Sequence, residues 1–80
     1  MVDARDREAQ RGARTLLTKH GLDITRAEVV VTHGICYIRG LVTPEAGENI
    51  PDVGAEVQRI AHLIRQKPGI RNVILEINHR

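Results

Sequence analysis

The chain has 80 residues, a formal net charge of +2 and a single aromatic residue, Tyr37. A chain of this length forms one domain and buries a modest share of its surface, so a deep ligand pocket of about 300 Å³ or more is not expected. Acidic and basic residues are interleaved, and one tyrosine cannot supply the aromatic platform of a single-stranded nucleic acid binder.

The first predicted element is a helix from Asp3 to about Lys19. Apolar residues recur there at helical spacing, and Gly21 follows as a candidate C-cap in the left-handed conformation. Acidic residues near the start of this helix and Lys19 near its end suit the helix dipole.

Two strands come next, "AEVVVT" at residues 27–32 and "ICYIR" at residues 35–39. His33 and Gly34 separate them, and a two-residue connection suits a type I′ turn, in which both central residues have positive φ. The pattern therefore predicts a β-hairpin.

The rest of the chain predicts a loop, a helix and a strand. "TPEAGENIPD", residues 43–52, is acidic and rich in turn residues. A helix is expected from about Asp52 to Lys67, with Pro51 at its start and Pro68 and Gly69 ending it. The last strand, "RNVILEI", places alternate apolar residues on one face, namely Val73, Leu75 and Ile77.

The element order helix, strand, strand, helix, strand predicts an α+β fold. The simplest packing that buries every apolar stripe is a two-layer sandwich, with two helices on one face of a three-stranded mixed sheet. Residues 1–80 would form one domain.

The sheet face away from the helices, here named the outer face, is predicted to be half apolar, although a solvated face should be polar. Tyrosine and arginine are both enriched at protein interfaces. The outer face is therefore a candidate site for a protein partner or for self-association, against the alternative of scattered surface hydrophobic residues. Its proposed binding residues are Val30, Ile35, Tyr37, Arg39 and Ile74, with Glu76 beside them.

Two short segments resemble the signature of the BON domain. Residues 34–42, "GICYIRGLV", fit its pattern of two glycines, Gly34 and Gly40, framing β-forming residues. Residues 69–73, "GIRNV", resemble its second element, with Gly69 and Val73 at its ends. The resemblance extends from Thr15 to Ile77, so that residues 1–14 would extend the first helix beyond the family core. The loop at residues 43–51 is longer than the link usual in the family.

The resemblance implies a noncatalytic binding module. BON domains occur in bacterial envelope and osmotic-stress proteins, and are thought to engage phospholipid surfaces or to help assemble envelope proteins. A similar module builds the rings of bacterial secretion systems.

Arg7, Arg11 and Arg14 form a basic stripe at spacings i, i+4 and i+7 on the first helix. Such a stripe can contact anionic phospholipid or nucleic acid phosphate. The alternative is a solvated helix face, because Asp3 lies four residues before Arg7. A nucleic-acid-binding α/β module is thus an alternative function, although no two glycines stand in the Gly-x-x-Gly spacing of a KH clamp.

Catalytic and metal-binding patterns are not found in the sequence, which predicts a protein that is not an enzyme and needs no cofactor or metal. The chain has no serine. Cys36 is expected in the core. The loop acids Glu45, Glu48 and Asp52 lack calcium-loop spacing, and four histidines lack zinc-ligand spacing: His20, His33, His62 and His79.

The sequence has no apolar run long enough for a transmembrane helix and no secretory signal in its charged first 14 residues. As written, the chain is expected in the cytoplasm. It would be periplasmic if it is the mature or excised part of an exported protein.

Overall fold

A computed structural model describes residues 4–79, with the side chain of His79 excepted. The described residues form an α+β fold with two helices and a sheet of four strands. In chain order the elements are α1 (Ala4–Lys19), β1 (Leu22–Asp23), β2 (Ala27–Thr32), β3 (Ile35–Pro44), α2 (Val53–Arg65) and β4 (Asn72–His79).

Helix α1 ends where its sequence predicts. Gly21 has φ of +83°, which confirms the left-handed C-cap, and its N–H donates to the carbonyl of Thr18 at 3.0 Å. The predicted first residue, Asp3, and its proposed pairing with Arg7 lie outside the described residues. The side of α1 that packs inward consists of Asp6, Ala9, Ala13 and Leu17.

The β2–β3 hairpin is confirmed together with its turn. His33 and Gly34 have φ of +52° and +80°, the signs that a type I′ turn requires. The strands pair antiparallel, with Val30 opposite Tyr37 and Thr32 opposite Ile35.

The prediction of three strands, with a loop beginning at Thr43, was wrong. Strand β3 continues to Pro44 because the two-residue strand β1 pairs antiparallel with Thr43 and Pro44. Gly40 makes this long strand possible: its φ is +102°, and a Cβ there would lie 2.7 Å from the carbonyl oxygen of Arg26. Two residues carry no periodic pattern, so sequence reasoning could not detect β1.

Helix α2 is shorter than predicted by one residue at its start and two at its end. Asp52 is the N-cap, since its Oδ1 accepts a hydrogen bond from the N–H of Ala55 at 3.1 Å. After α2 the chain returns along β3, and β4 pairs with β3 in parallel, with Cys36 opposite Val73 and Ile38 opposite Leu75.

One hydrophobic core joins the helices to the inner face of the sheet. The inner residues of the hairpin are fully or almost fully buried there, namely Val29, Val31, Cys36 and Ile38. They belong to a single cluster that includes Leu17 from α1 and Ile60 from α2. Val73, Leu75 and Ile77 of β4 pack against this cluster but remain only half-buried.

Candidate interaction surfaces

The outer face brings its predicted apolar residues together. Tyr37 on the central strand β3 lies between Val30 on β2 and Ile74 on β4, so the three form one row across the sheet. Ile35 lies two residues before Tyr37 on the same face. All four side chains are half-buried by their neighbours and present a shallow apolar surface.

A charged row lies beside the apolar row. Arg39 stands opposite Glu28 on β2 and Glu76 on β4. Its Nε donates to Glu76 Oε1 at 3.0 Å, its Nη1 lies 3.8 Å from Glu28 Oε1, and its Cζ lies 4.8 Å from the centroid of the Tyr37 ring. The guanidinium is therefore oriented by two carboxylates and an aromatic ring, the last a cation–π contact.

The charged row changes what the outer face can bind. One guanidinium between two carboxylates leaves a formal charge of −1, so this row does not attract an anionic ligand. Exposed ion pairs contribute little stability, about 0–1 kcal/mol, but these two direct the Arg39 guanidinium across the outer face, beside the Tyr37 ring. Sequence analysis missed Glu28, which the alternation of β2 places on the same face as Val30.

The basic stripe is exposed along α1, and the structure separates its members. Arg11 and Arg14 line a surface groove of about 380 Å³ with Thr15 and Thr18, closed on its other side by Ile24 and Thr25. Both threonine hydroxyls donate to carbonyls one turn earlier in α1, at 2.9 and 3.2 Å. Arg7 lies outside this groove, nearer the start of the helix.

The two segments that resemble the BON signature meet in the fold. A Cβ on Gly34 would lie 3.1 Å from the carbonyl oxygen of Gly69, and the N–H of Arg71 donates to the carbonyl of Gly34 at 2.7 Å. Gly69 has φ of +86°. These glycines let the hairpin turn and the entry to β4 approach closely, which is a structural role.

Asp6 has a structural role that sequence analysis missed. Its carboxylate is buried, with Oδ2 accepting from the N–H of His33 at 2.9 Å and Oδ1 accepting from the N–H of Gly34 at 3.2 Å. It thereby fastens the first turns of α1 to the hairpin turn. An acidic residue at the start of a helix indicates a dipole interaction, and no local signal reveals a partner 27 residues away.

The single cysteine of the chain is buried. Cys36 is in the core, where burial raises the pKa of its thiol to about 11, so it is a poor nucleophile. Among residues 4–79 no three His, Cys, Asp or Glu side chains are placed to hold a metal ion. Neither of the described helices has the length and apolar character needed to cross a membrane.

No known protein family, curated protein or solved structure matches this chain.

Proposed function

We propose that the chain is a noncatalytic binding module of the BON type, a two-layer sandwich whose outer face assembles with another protein chain. The observation that carries this proposal is the row Val30–Tyr37–Ile74, in which three half-buried apolar residues lie side by side on adjacent strands. The bacterial envelope is the setting that the family resemblance implies.

The composition of the outer face supports protein binding. A tyrosine flanked by two aliphatic residues offers a compact apolar centre, and interface energy is usually concentrated in a few such residues. The neighbouring row of Glu28, Arg39 and Glu76 would lie at the rim, where charges select the partner and its orientation. Arg39 is already oriented, so little side-chain entropy is lost when a partner binds.

The experiment compares two outer-face variants with a matched surface variant. Ile74→Asp and Tyr37→Asp should each weaken self-association or partner capture by about tenfold or more, because a carboxylate would be desolvated at the interface. Leu63→Asp makes the same kind of change at the exposed Leu63 of α2 and should leave binding unchanged. Sedimentation measures self-association, and affinity capture from the source cells measures partner binding.

Circular dichroism and thermal unfolding check that each variant is folded. The proposal would be contradicted if the wild-type protein were monomeric and if the two outer-face variants captured every protein that the wild type captures.

Association with an anionic phospholipid surface is the second candidate function. Arg7, Arg11 and Arg14 are all exposed on α1 and span eight residues, or about 10 Å of helix. The groove beside Arg11 and Arg14 also presents two threonine side chains. Clustered arginines of this kind attract phosphate groups, and the phosphates of a nucleic acid are the alternative ligand of the same stripe.

A further inference from the structure

The hydrogen bonds of β2 show which backbone N–H and C=O groups of β4 point away from the sheet. The N–H of Val31 donates to Oε1 of Gln10 at 3.0 Å, so it points away from β3. The direction of the backbone hydrogen bonds alternates along a strand. The backbone N–H and C=O groups of Tyr37 therefore point to β2, and those of Cys36 and Ile38 point to β4.

The same alternation identifies the residues of β4 whose backbone N–H and C=O groups point away from β3. Asn72, Ile74 and Glu76 direct their backbone groups to β3, whereas Val73, Leu75 and Ile77 direct theirs to the opposite edge. An independent observation agrees, since the N–H of Val73 is not in the ladder but donates to Oδ1 of its neighbour Asn72 at 2.9 Å. Within residues 4–79 no strand pairs with this edge.

The inner side chains at this edge are also incompletely covered. Val73, Leu75 and Ile77 are half-buried, whereas Cys36 and Ile38 on the adjacent strand are fully buried. A groove of about 230 Å³ remains between α2 and β4. Besides Val73 and Leu75, its lining includes Gln58, Ala61, His62 and Arg65.

We propose that a second copy of this chain covers the edge, its β4 pairing antiparallel with the first β4 about a two-fold axis at Leu75. This register uses all three outward residues: Leu75 faces Leu75 of the other copy, and Val73 faces Ile77. The apolar side chains of both strands would meet over the groove. The inference does not rest on the proposed function, because it is argued from the backbone groups of β4 and from the side chains on the inner face of that strand.

The charges at the edge suit a second copy. A two-fold axis at Leu75 would set the two α2 helices antiparallel, so that the end of one helix, with Arg65, would run beside the start of the other, with Asp52. The two copies of Glu76 would come near each other on the outer face. Each is held by its own Arg39 at 3.0 Å, which limits their repulsion.

Disulfide trapping tests the dimer and its register. Leu75→Cys should form a cross-linked dimer on mild oxidation, because the two Cα atoms would be about 5.5 Å apart, within disulfide range. Val73→Cys is the matched control: it faces Ile77, and its own counterpart would be about 14 Å away, so no cross-link should form. The double variant Val73→Cys, Ile77→Cys should cross-link again. Wild-type protein controls for Cys36.

Hydrogen exchange of the wild-type protein tests the proposal without substitutions. At concentrations where sedimentation shows a dimer, the amides of Leu75 and Ile77 should exchange about tenfold or more slowly than in the monomer. A wild-type chain that stays monomeric at millimolar concentration would overturn the proposal. So would equal cross-linking of Leu75→Cys and Val73→Cys, or a dimer in which these two amides gain no protection.

Discussion

Cys36 lies in the middle of β3 with its side chain fully buried, and burial raises the pKa of its thiol from 9.0 to about 11. The sequence predicted the buried position, because Cys36 alternates with Tyr37 along a strand. The size of the pKa change depends on the helices packed above it, which no local pattern describes.

The raised pKa predicts a loss of stability at alkaline pH. The unfolded chain loses the Cys36 proton near pH 9, whereas the folded chain keeps it until about pH 11. The contribution of Cys36 to the free energy of unfolding is therefore complete below pH 9 and is lost as the pH rises toward 11. Urea unfolding across this range measures it, with Cys36→Ala as the control that lacks this component.

Thiol labelling gives a second measurement of the same property. Alkylation of Cys36 should be far slower in the native protein than in urea, because the thiolate is the reactive form. Equal rates in the two conditions would mean that Cys36 is not buried as described.

Among the elements, α1 is joined to the hairpin turn by the hydrogen bonds of Asp6. Asp6→Asn keeps the size of the side chain but places an amide NH₂ against one of two backbone N–H donors. We expect a loss of about 1.5–3 kcal/mol in the free energy of unfolding, the usual range for hydrogen bonds to a charged group. Chemical denaturation of the purified variant measures the change.

Glu8→Gln is the control for Asp6→Asn. It removes the same charge from the exposed side of α1 and should change stability by no more than about 0.5 kcal/mol. If the two variants were equally stable, the carboxylate of Asp6 would not be holding the turn.

Elements with a local signal could be predicted from the sequence, and elements that depend on distant pairing could not. Both helices, the hairpin and its turn are marked by periodicity, capping residues and His33–Gly34. Strand β1 exists because Leu22 and Asp23 meet Thr43 and Pro44, about twenty residues later. The same pairing lengthens β3 into what the sequence indicated as a loop.

For the whole molecule, the net charge of +2 conceals an uneven distribution, with three exposed arginines on one helix. If the basic stripe binds phospholipid, vesicles containing anionic lipid should sediment the protein, and added salt should release it. Arg7→Glu with Arg11→Glu should abolish this binding. Arg59→Glu with Arg65→Glu makes the same change in net charge on α2 and should preserve it.

The same approach distinguishes binding of lipid from binding of nucleic acid. Binding to short DNA or RNA that weakens steeply with salt, without sedimentation on anionic vesicles, would favour the nucleic acid alternative. Absence of binding to both would leave the arginine stripe as a solvated helix face.

The residues of the outer face could be predicted from strand alternation, since a period of two separates its side chains from those of the core. The free edge of β4 could not, because it depends on which strand lies in the centre of the sheet and on how far α2 extends over its neighbour.

The hydrogen bond from Val31 to Gln10 makes the two margins of the sheet unequal. On the β2 side the N–H groups of Val31 and Ala27 are already occupied, the latter by the carbonyl of Ile24. A strand added at the β2 side would have to displace these two hydrogen bonds, one of them to Gln10. The two-fold pairing proposed for β4 would occupy the other side of the sheet and close the assembly at two molecules, which opposes open-ended strand addition.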